Sequence, residues 1–207
     1  RSMFNMSEGQ KNVINRKMNP FLKLLKSVLE DASIPKYTHN GKYEYQVLKQ
    51  YGIILQGISF DSMIAAFLLF PHERVGLKAC AARYLGVSMA TYEAVAGKGK
   101  SQISFSDVDE DIATQYAAAD ADMTFRLKTY FESQINKKNL NYLFNDIELP
   151  LQIVLGDMEL EGVSVDLEFL NELRQKFEKE IKVLSESIYN HAGKMFNINS
   201  TQQLGEL

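Results

Sequence analysis

Tyr116 and Asp120 lie four residues apart in a stretch with helical spacing, so their side chains can converge on one spot. A carboxylate there could hold a metal ion with a phenol beside it. The plainer reading is a capped, solvated helix carrying a buried tyrosine, and spacing alone favours it. Asp122 falls two residues on and faces elsewhere. Asn40 and Glu44 repeat the four-residue spacing at a strand-to-helix junction, where α/β proteins often build sites. Here too a simpler role is open: Asn40 caps the helix, and Glu44 is a surface acid. Asp61 follows a strand, which suits an N-cap or an acid supporting a metal ligand.

Gly97-Lys98-Gly99-Lys100-Ser101 ends like a phosphate-binding loop. The required first glycine would fall at Ala94, and no strand precedes it, so that reading fails. Lys98 and Lys100 can still touch phosphates from a flexible loop, and a solvated loop explains them equally well. Ser200, Thr201, Gln202 and Gln203 follow Asn197 and Asn199. Short polar groups at a helix start can donate to a phosphate, or simply cap the helix. No nucleophile elbow, dinucleotide glycine run or zinc motif is present.

The elements that must position these residues alternate along the first part of the chain. Pro20 opens a helix with a stripe of Phe21, Leu24, Leu25, Val28 and Leu29. A strand over 34–38, a helix over 42–51, a strand ending at Phe60 and a helix over 63–70 follow. Pro71 ends that helix. Residues 76–85 are helical in pattern, and a long helix with an acidic start runs from about Asp109 to Gln134. This order predicts an α/β domain. From Asn139 the pattern is nearly all helical, broken at Gly162–Asp166. Leu167–Ala192 is a long exposed helix with the stripe Leu170, Leu173, Phe177, Ile181, Leu184 and Ile188. Residues 1–17 read as an irregular polar arm.

Composition sets the outer limits. The 207 residues are 45% apolar and 24% charged, which excludes a disordered polymer. The formal net charge of −3 is unevenly spread. Residues 1–100 carry 14 basic and 7 acidic side chains, and residues 101–207 carry 9 and 19. The basic half could face a polyanion. Cys80 is the single cysteine, so a disulfide framework and a cysteine zinc site are excluded, and it reads as a buried small hydrophobe. Three scattered histidines, His39, His72 and His191, speak against a histidine metal site. No apolar run is long enough to span a membrane. The opening Arg1-Ser2-Met3 reads as a cloning remnant, and the chain as a piece of something longer.

Taken in order, several segments resemble one family. Thr38-His39-Asn40-Gly41-Lys42-Tyr43-Glu44 resembles the second exonuclease motif of the family A DNA polymerases. Phe60-Asp61-Ser62-Met63 resembles the strand and helix start that follow it. Residues 96–105 resemble a family loop, and Tyr116-Ala117-Ala118-Ala119-Asp120 resembles the third exonuclease motif. Residues 147–151 and 161–166 look like the entry to the polymerase domain. Phe196-Asn197-Ile198-Asn199-Ser200-Thr201-Gln202-Gln203-Leu204 looks like the thumb segment that grips duplex DNA.

The resemblance implies a ribonuclease H-like exonuclease domain over 1–138, with its opening strands missing, then an α-helical thumb base over 139–207. It implies a 3′→5′ exonuclease using two metal ions, Mg²⁺ or Mn²⁺, held by carboxylates. Asp120 would be a metal ligand, Tyr116 would orient the attacking water, and Asn40 would help place the substrate. Lys98, Lys100, Asn197, Ser200, Thr201 and Gln203 would contact DNA. Primer-template and a single-stranded 3′ end would be the partners of a cytoplasmic, nucleoid-associated monomer with no membrane contact.

Two departures matter. The family's Asp-x-Glu strand should precede residue 20, where Glu8 is the only acid. Position 44 holds Glu where the family has Asp. The extra methylene moves the oxygens by about 1 Å, and metal sites tolerate roughly ±0.2 Å. The expectation is therefore a vestigial exonuclease site at Glu44 and Asp120, binding no metal in this chain. The palm acids of the polymerase lie beyond residue 207 in the family, so nucleotide addition belongs to the parent. Two alternatives stay open. One is an active proofreading exonuclease, with the Asp-x-Glu strand upstream in the parent. The other is a non-catalytic DNA-binding scaffold, with salt-dependent and metal-independent binding. Arg174, Lys176, Lys179 and Lys182 could meet phosphate or line a solvated face.

Overall fold

A computed structural model describes residues 20–207. The polar arm and the place of the Asp-x-Glu strand lie outside the described residues. Helix α1 spans Pro20–Glu30. Strand β1 (Lys36–Thr38), helix α2 (Gly41–Gln50) and strand β2 (Ile58–Asp61) then form a β-α-β unit with parallel strands. Tyr37 faces Phe60, Thr38 faces Asp61, and the register is irregular between Lys36 and Tyr37. Gly57 makes the approach to β2 possible. Its φ is +72°, and a Cβ there would lie 2.6 Å from the Ile34 carbonyl oxygen.

Asp61 ends β2 and caps helix α3 (Ser62–Leu69), as its position after a strand predicts. Its Oδ1 accepts the Met63 and Ile64 amides at 2.9 and 3.1 Å. Its Oδ2 accepts the Gly41 amide at 2.6 Å and the Thr38 hydroxyl at 2.9 Å. One fully buried carboxylate thus ties both strand-to-helix junctions together.

Helix α4 (Leu77–Cys80) runs into a wide π-type turn, Ala81–Leu85. Helix α5 (Tyr92–Ala96) precedes a short loop, and helix α6 (Glu110–Lys137) is capped by Asp109. A second wide turn, Leu143–Glu148, leads into helix α7 (Leu149–Glu161). The core gathers Phe60, Ala65, Ala66, Leu69, Cys80, Leu127, Phe131, Ile135, Phe144 and Leu149. Phe60 and Phe144 pack ring to ring at 4.8 Å. Cys80 is fully buried, as its apolar surroundings in the sequence suggest, and burial pushes its thiol up to about 11.

The contacts divide the chain into 1–162 and 163–207. The expected boundary at 138/139 is not where the packing divides. After α6 the chain turns back: Phe144 and Leu149 enter the core, and α7 lies against α2. Tyr45 donates to Asp157 at 2.8 Å, Lys49 pairs with Asp157, and Lys42 pairs with Glu159. Gly156 permits this approach, since a Cβ there would lie 3.1 Å from the Tyr45 ring. The second unit holds helix α8 (Leu167–Ala192), capped by Asp166, and the short helix α9 (Thr201–Gly205). The described residues of α8 include no buried side chain, in keeping with a solvated helix.

The α/β expectation is met by this single β-α-β unit. Among the described residues the sheet has two strands, and the rest is largely helical. No described helix is long and apolar enough to cross a membrane.

Replacing Asp61 with Ala strands two buried donors and removes a helix cap. The expected cost is about 3 kcal/mol or more in urea denaturation, with a smaller loss for Asp61→Asn, which keeps one acceptor oxygen.

Candidate active site

The junction between β1 and α2 presents Asn40 and Glu44. Asn40 sits at the N-cap position in a left-handed conformation (φ 78°, ψ 52°), which asparagine tolerates better than most residues. Its side chain makes no capping bond, contrary to the simpler role for it. Its backbone carbonyl accepts from Tyr43 at 2.9 Å, and the Asp61 carboxylate receives its amide at 3.4 Å. Asn40 lines a hollow of about 170 Å³ with Lys42, Asp61, Met63, Glu148 and Gln152. Gln152 is buried, and neither of its amide atoms has a hydrogen-bond partner among the described residues.

Glu44 is on the next turn of α2 and faces a different hollow. That hollow is shared with Leu29, Tyr37, Val47, Leu48 and Leu55. The residue as a whole is exposed, but its carboxyl end lies among these mainly apolar groups. Desolvation, with the negative charge of Asp61 second, pushes that carboxyl up to about 7.

Tyr116 and Asp120 do share one face of α6. They line a third hollow, of about 250 Å³, with Met89, Val95, Ile112 and Gln115. Phe105 packs on Tyr116 at 5.8 Å and fixes the ring. Both polar groups meet Lys78 of α4. Its ammonium donates to the Tyr116 hydroxyl at 3.0 Å and to Asp120 Oδ1 at 3.3 Å, and stands 4.2 Å from the Tyr116 ring centre. No local pattern signals this contact. Lys78 is 38 and 42 residues from its partners, and helical spacing marks it only as a polar neighbour of Cys80.

His39 links this region to the junction. Its Nδ1 is 2.8 Å from the Ser62 hydroxyl. Burial lowers its pKa, outweighing the nearby charges of Asp61 and Asp120, which favour the protonated ring.

Two divalent ions acting on one phosphodiester need several carboxylates around a single point. Among the described residues no three His, Cys, Asp or Glu side chains converge in this way. Asn40, Glu44 and the Tyr116–Asp120 pair line three separate hollows. The donors among the described residues therefore do not by themselves make up a two-metal site.

The loop residues fall elsewhere. Lys98 is exposed and 3.4 Å from Glu93, and Lys100 is exposed. The loop is closed by Ile103 donating to the Ala96 carbonyl at 2.8 Å. Gly97 is needed there, because φ is +83° and a Cβ would lie 2.6 Å from the Ser101 carbonyl oxygen. The loop follows a helix, which agrees with rejecting the phosphate-loop reading. In the second unit Ser200 caps α9 by accepting from the Gln203 amide at 3.3 Å, and Gln203 Oε1 accepts from the Asn197 amide at 2.8 Å. Thr201 is exposed at the first helical position. On α8, Arg174 and Lys176 lie 3.9 and 4.0 Å from Glu178 and Glu180.

Residues 3–136 match the family described as 3'-5' exonuclease, from the A-type DNA polymerases. The chain is 44% identical over 176 residues to DNA polymerase I of Chloroflexus aurantiacus, covering 84% of this chain and 18% of that protein. It is 37% identical over 191 residues to DNA polymerase I of Rhizobium leguminosarum, covering 92% and 19%. The chain thus spans about a fifth of the length of these curated relatives. A solved structure, the POL domain of Pol1 from M. smegmatis in complex with DNA primer-template and dNTP, is also similar. Its TM-score is 0.71 at 27% identity, over 91% of this chain and 30% of that one.

The raised Glu44 carboxyl has a measurable consequence. The folded state holds this proton more tightly than the unfolded chain does, so the contribution is present below pH 4.5 and lost as pH rises towards 7. Urea midpoints of wild type should fall over that window relative to Glu44→Gln, which stays neutral. Parallel midpoint curves for the two proteins would contradict this account.

Proposed function

The chain belongs to the 3'-5' exonuclease family of A-type DNA polymerases, and on that premise we propose that it is the exonuclease-like domain and thumb base of a DNA-directed DNA polymerase. The parent copies primer-template DNA in replication and repair, with Mg²⁺ or Mn²⁺ serving nucleotide addition. On this reading residues 1–138 derive from a ribonuclease H-like exonuclease and residues 139–207 begin the polymerase part, with residues 139–162 packed into the first compact unit. The protein works as a cytoplasmic, nucleoid-associated monomer.

Within this chain the exonuclease site is vestigial. The observation that supports this is that no three His, Cys, Asp or Glu side chains among the described residues come together to hold a metal. Two-metal hydrolysis needs several carboxylates around one phosphodiester. Asp120, Tyr116 and Glu44 are what remains of the machinery.

DNA binding is the activity left to the domain. Asn40, Lys98 and Lys100 are proposed to touch a single strand, and Asn197, Ser200, Thr201 and Gln203 to touch duplex. The exposure of Lys98 and Lys100 supports this, as does the DNA complex in which the similar M. smegmatis protein was solved.

End-labelled single-stranded DNA with Mg²⁺ or Mn²⁺ tests the hydrolytic claim. No release of 3′ nucleotides is expected from this chain, and Asp120→Ala should change nothing. Release that Asp120→Ala abolishes would overturn the reading. For binding of single-stranded DNA, Lys98→Ala with Lys100→Ala should reduce the slope of log affinity against log salt by about 1.4, roughly 0.7 per lost phosphate contact. An unchanged slope would remove these lysines from the interface.

A further inference from the structure

We propose that Lys78 is a resident cation that occupies Asp120 and keeps a divalent metal from it. The idea rests on the vestigial reading above but makes a separate claim. That reading says the carboxylates are too scattered to build a metal site. This one says that the remaining half-site is already filled by a side chain of the protein.

The geometry carries it. The Lys78 ammonium has both partners that the motif would offer a metal and its water: Asp120 Oδ1 at 3.3 Å and the Tyr116 hydroxyl at 3.0 Å. It also lies over the Tyr116 ring, 4.2 Å from its centre, where the ring's negative face attracts a cation. The contact is not a loose surface pair. The Lys78 and Asp120 side chains are 28% and 34% exposed.

Both ends are fixed by packing. Two residues after Lys78, Cys80 is fully buried in the core and anchors α4. On α6, Met123, Thr124 and Leu127 are buried within two turns of Asp120, and Phe105 holds Tyr116. Lys78 therefore does not reach Asp120 by chance rotation of a long exposed arm.

A positive charge at hydrogen-bond distance from the carboxylate has two effects. It satisfies that carboxylate's negative charge, and it repels a second cation from the same oxygen. The repulsion is strong because the pair is partly shielded from water, so its charges are screened less. The site would then need no metal ion for its structure.

The test is Mn²⁺ binding without DNA, read by the electron paramagnetic resonance of free Mn²⁺, on wild type, Lys78→Asp, and Lys78→Asp with Asp120→Asn. Wild type should show no binding that depends on Asp120. Lys78→Asp places a second carboxylate beside Asp120 and should tighten Mn²⁺ by about tenfold or more, the scale on which single groups near a metal change its affinity. Adding Asp120→Asn should abolish that gain. Asp120-dependent binding in wild type overturns the proposal. So does the lack of any gain in a folded Lys78→Asp, since Lys78 would then not be what keeps the metal out.

If Lys78→Asp does not fold, thermal midpoints of Lys78→Met, Asp120→Asn and their double variant decide instead. A double loss smaller than the sum of the single losses is expected, and strict additivity overturns the proposal. Failure here is separable from failure of the proposed function, because neither measurement involves hydrolysis.

Discussion

The Asp61 carboxylate is the constraint on which the rest of the first unit depends. It is fully buried, at the end of β2, and its two oxygens face two junctions. One oxygen caps α3 through Met63 and Ile64, and the other holds Gly41 and Thr38 at the start of α2. A buried charge is tolerated only when donors surround it. Here the donors come from both halves of the β-α-β unit, so neither junction can form alone. Gly41 is tied to the same point. A Cβ there would lie 2.6 Å from Thr38 Oγ1 and 2.8 Å from Gln152 Oε1.

That knot explains the state of the neighbouring groups. It sets Asn40 in a left-handed turn, which frees its side chain from capping. It also leaves a negative charge near Glu44, whose carboxyl is already penalised by apolar neighbours. Asp120 is governed by something else, a lysine brought in by a separate helix. Two acids that the family motif would pair are thus balanced by unrelated environments. Environment rather than residue type decides what each carboxylate can do.

The packing of α7 shows the same point for domain organisation. The match to the exonuclease family model ends at residue 136, while the compact unit runs to Gly162. Tyr45, Gln46 and Lys49 on α2 bond Asp157, Glu159 and the Gly156 carbonyl on α7. Gly156 supplies the close approach. Helix α7 therefore packs as part of the α/β unit, whatever its role in catalysis by a longer protein.

The sequence by itself determined the local elements, because these follow from short-range rules. Apolar spacing, Asp61 and the Ser200 cluster as caps, the acidic start near Asp109 and Pro20 as a first-turn residue predicted helices close to those observed. The order of motifs also carried the family. Spacing placed Tyr116 and Asp120 on one face, since a helix fixes that by its own geometry. Other features needed the tertiary structure. The contact of Lys78 with Asp120 joins residues far apart in the chain, and so does the bond between Gly41 and Asp61. The hollow that Asp120 shares with Met89 and Val95 and the packing of α7 on α2 are likewise long-range. No local propensity encodes such meetings. They are set by which faces the core brings together, and on them turns whether a motif is also a site.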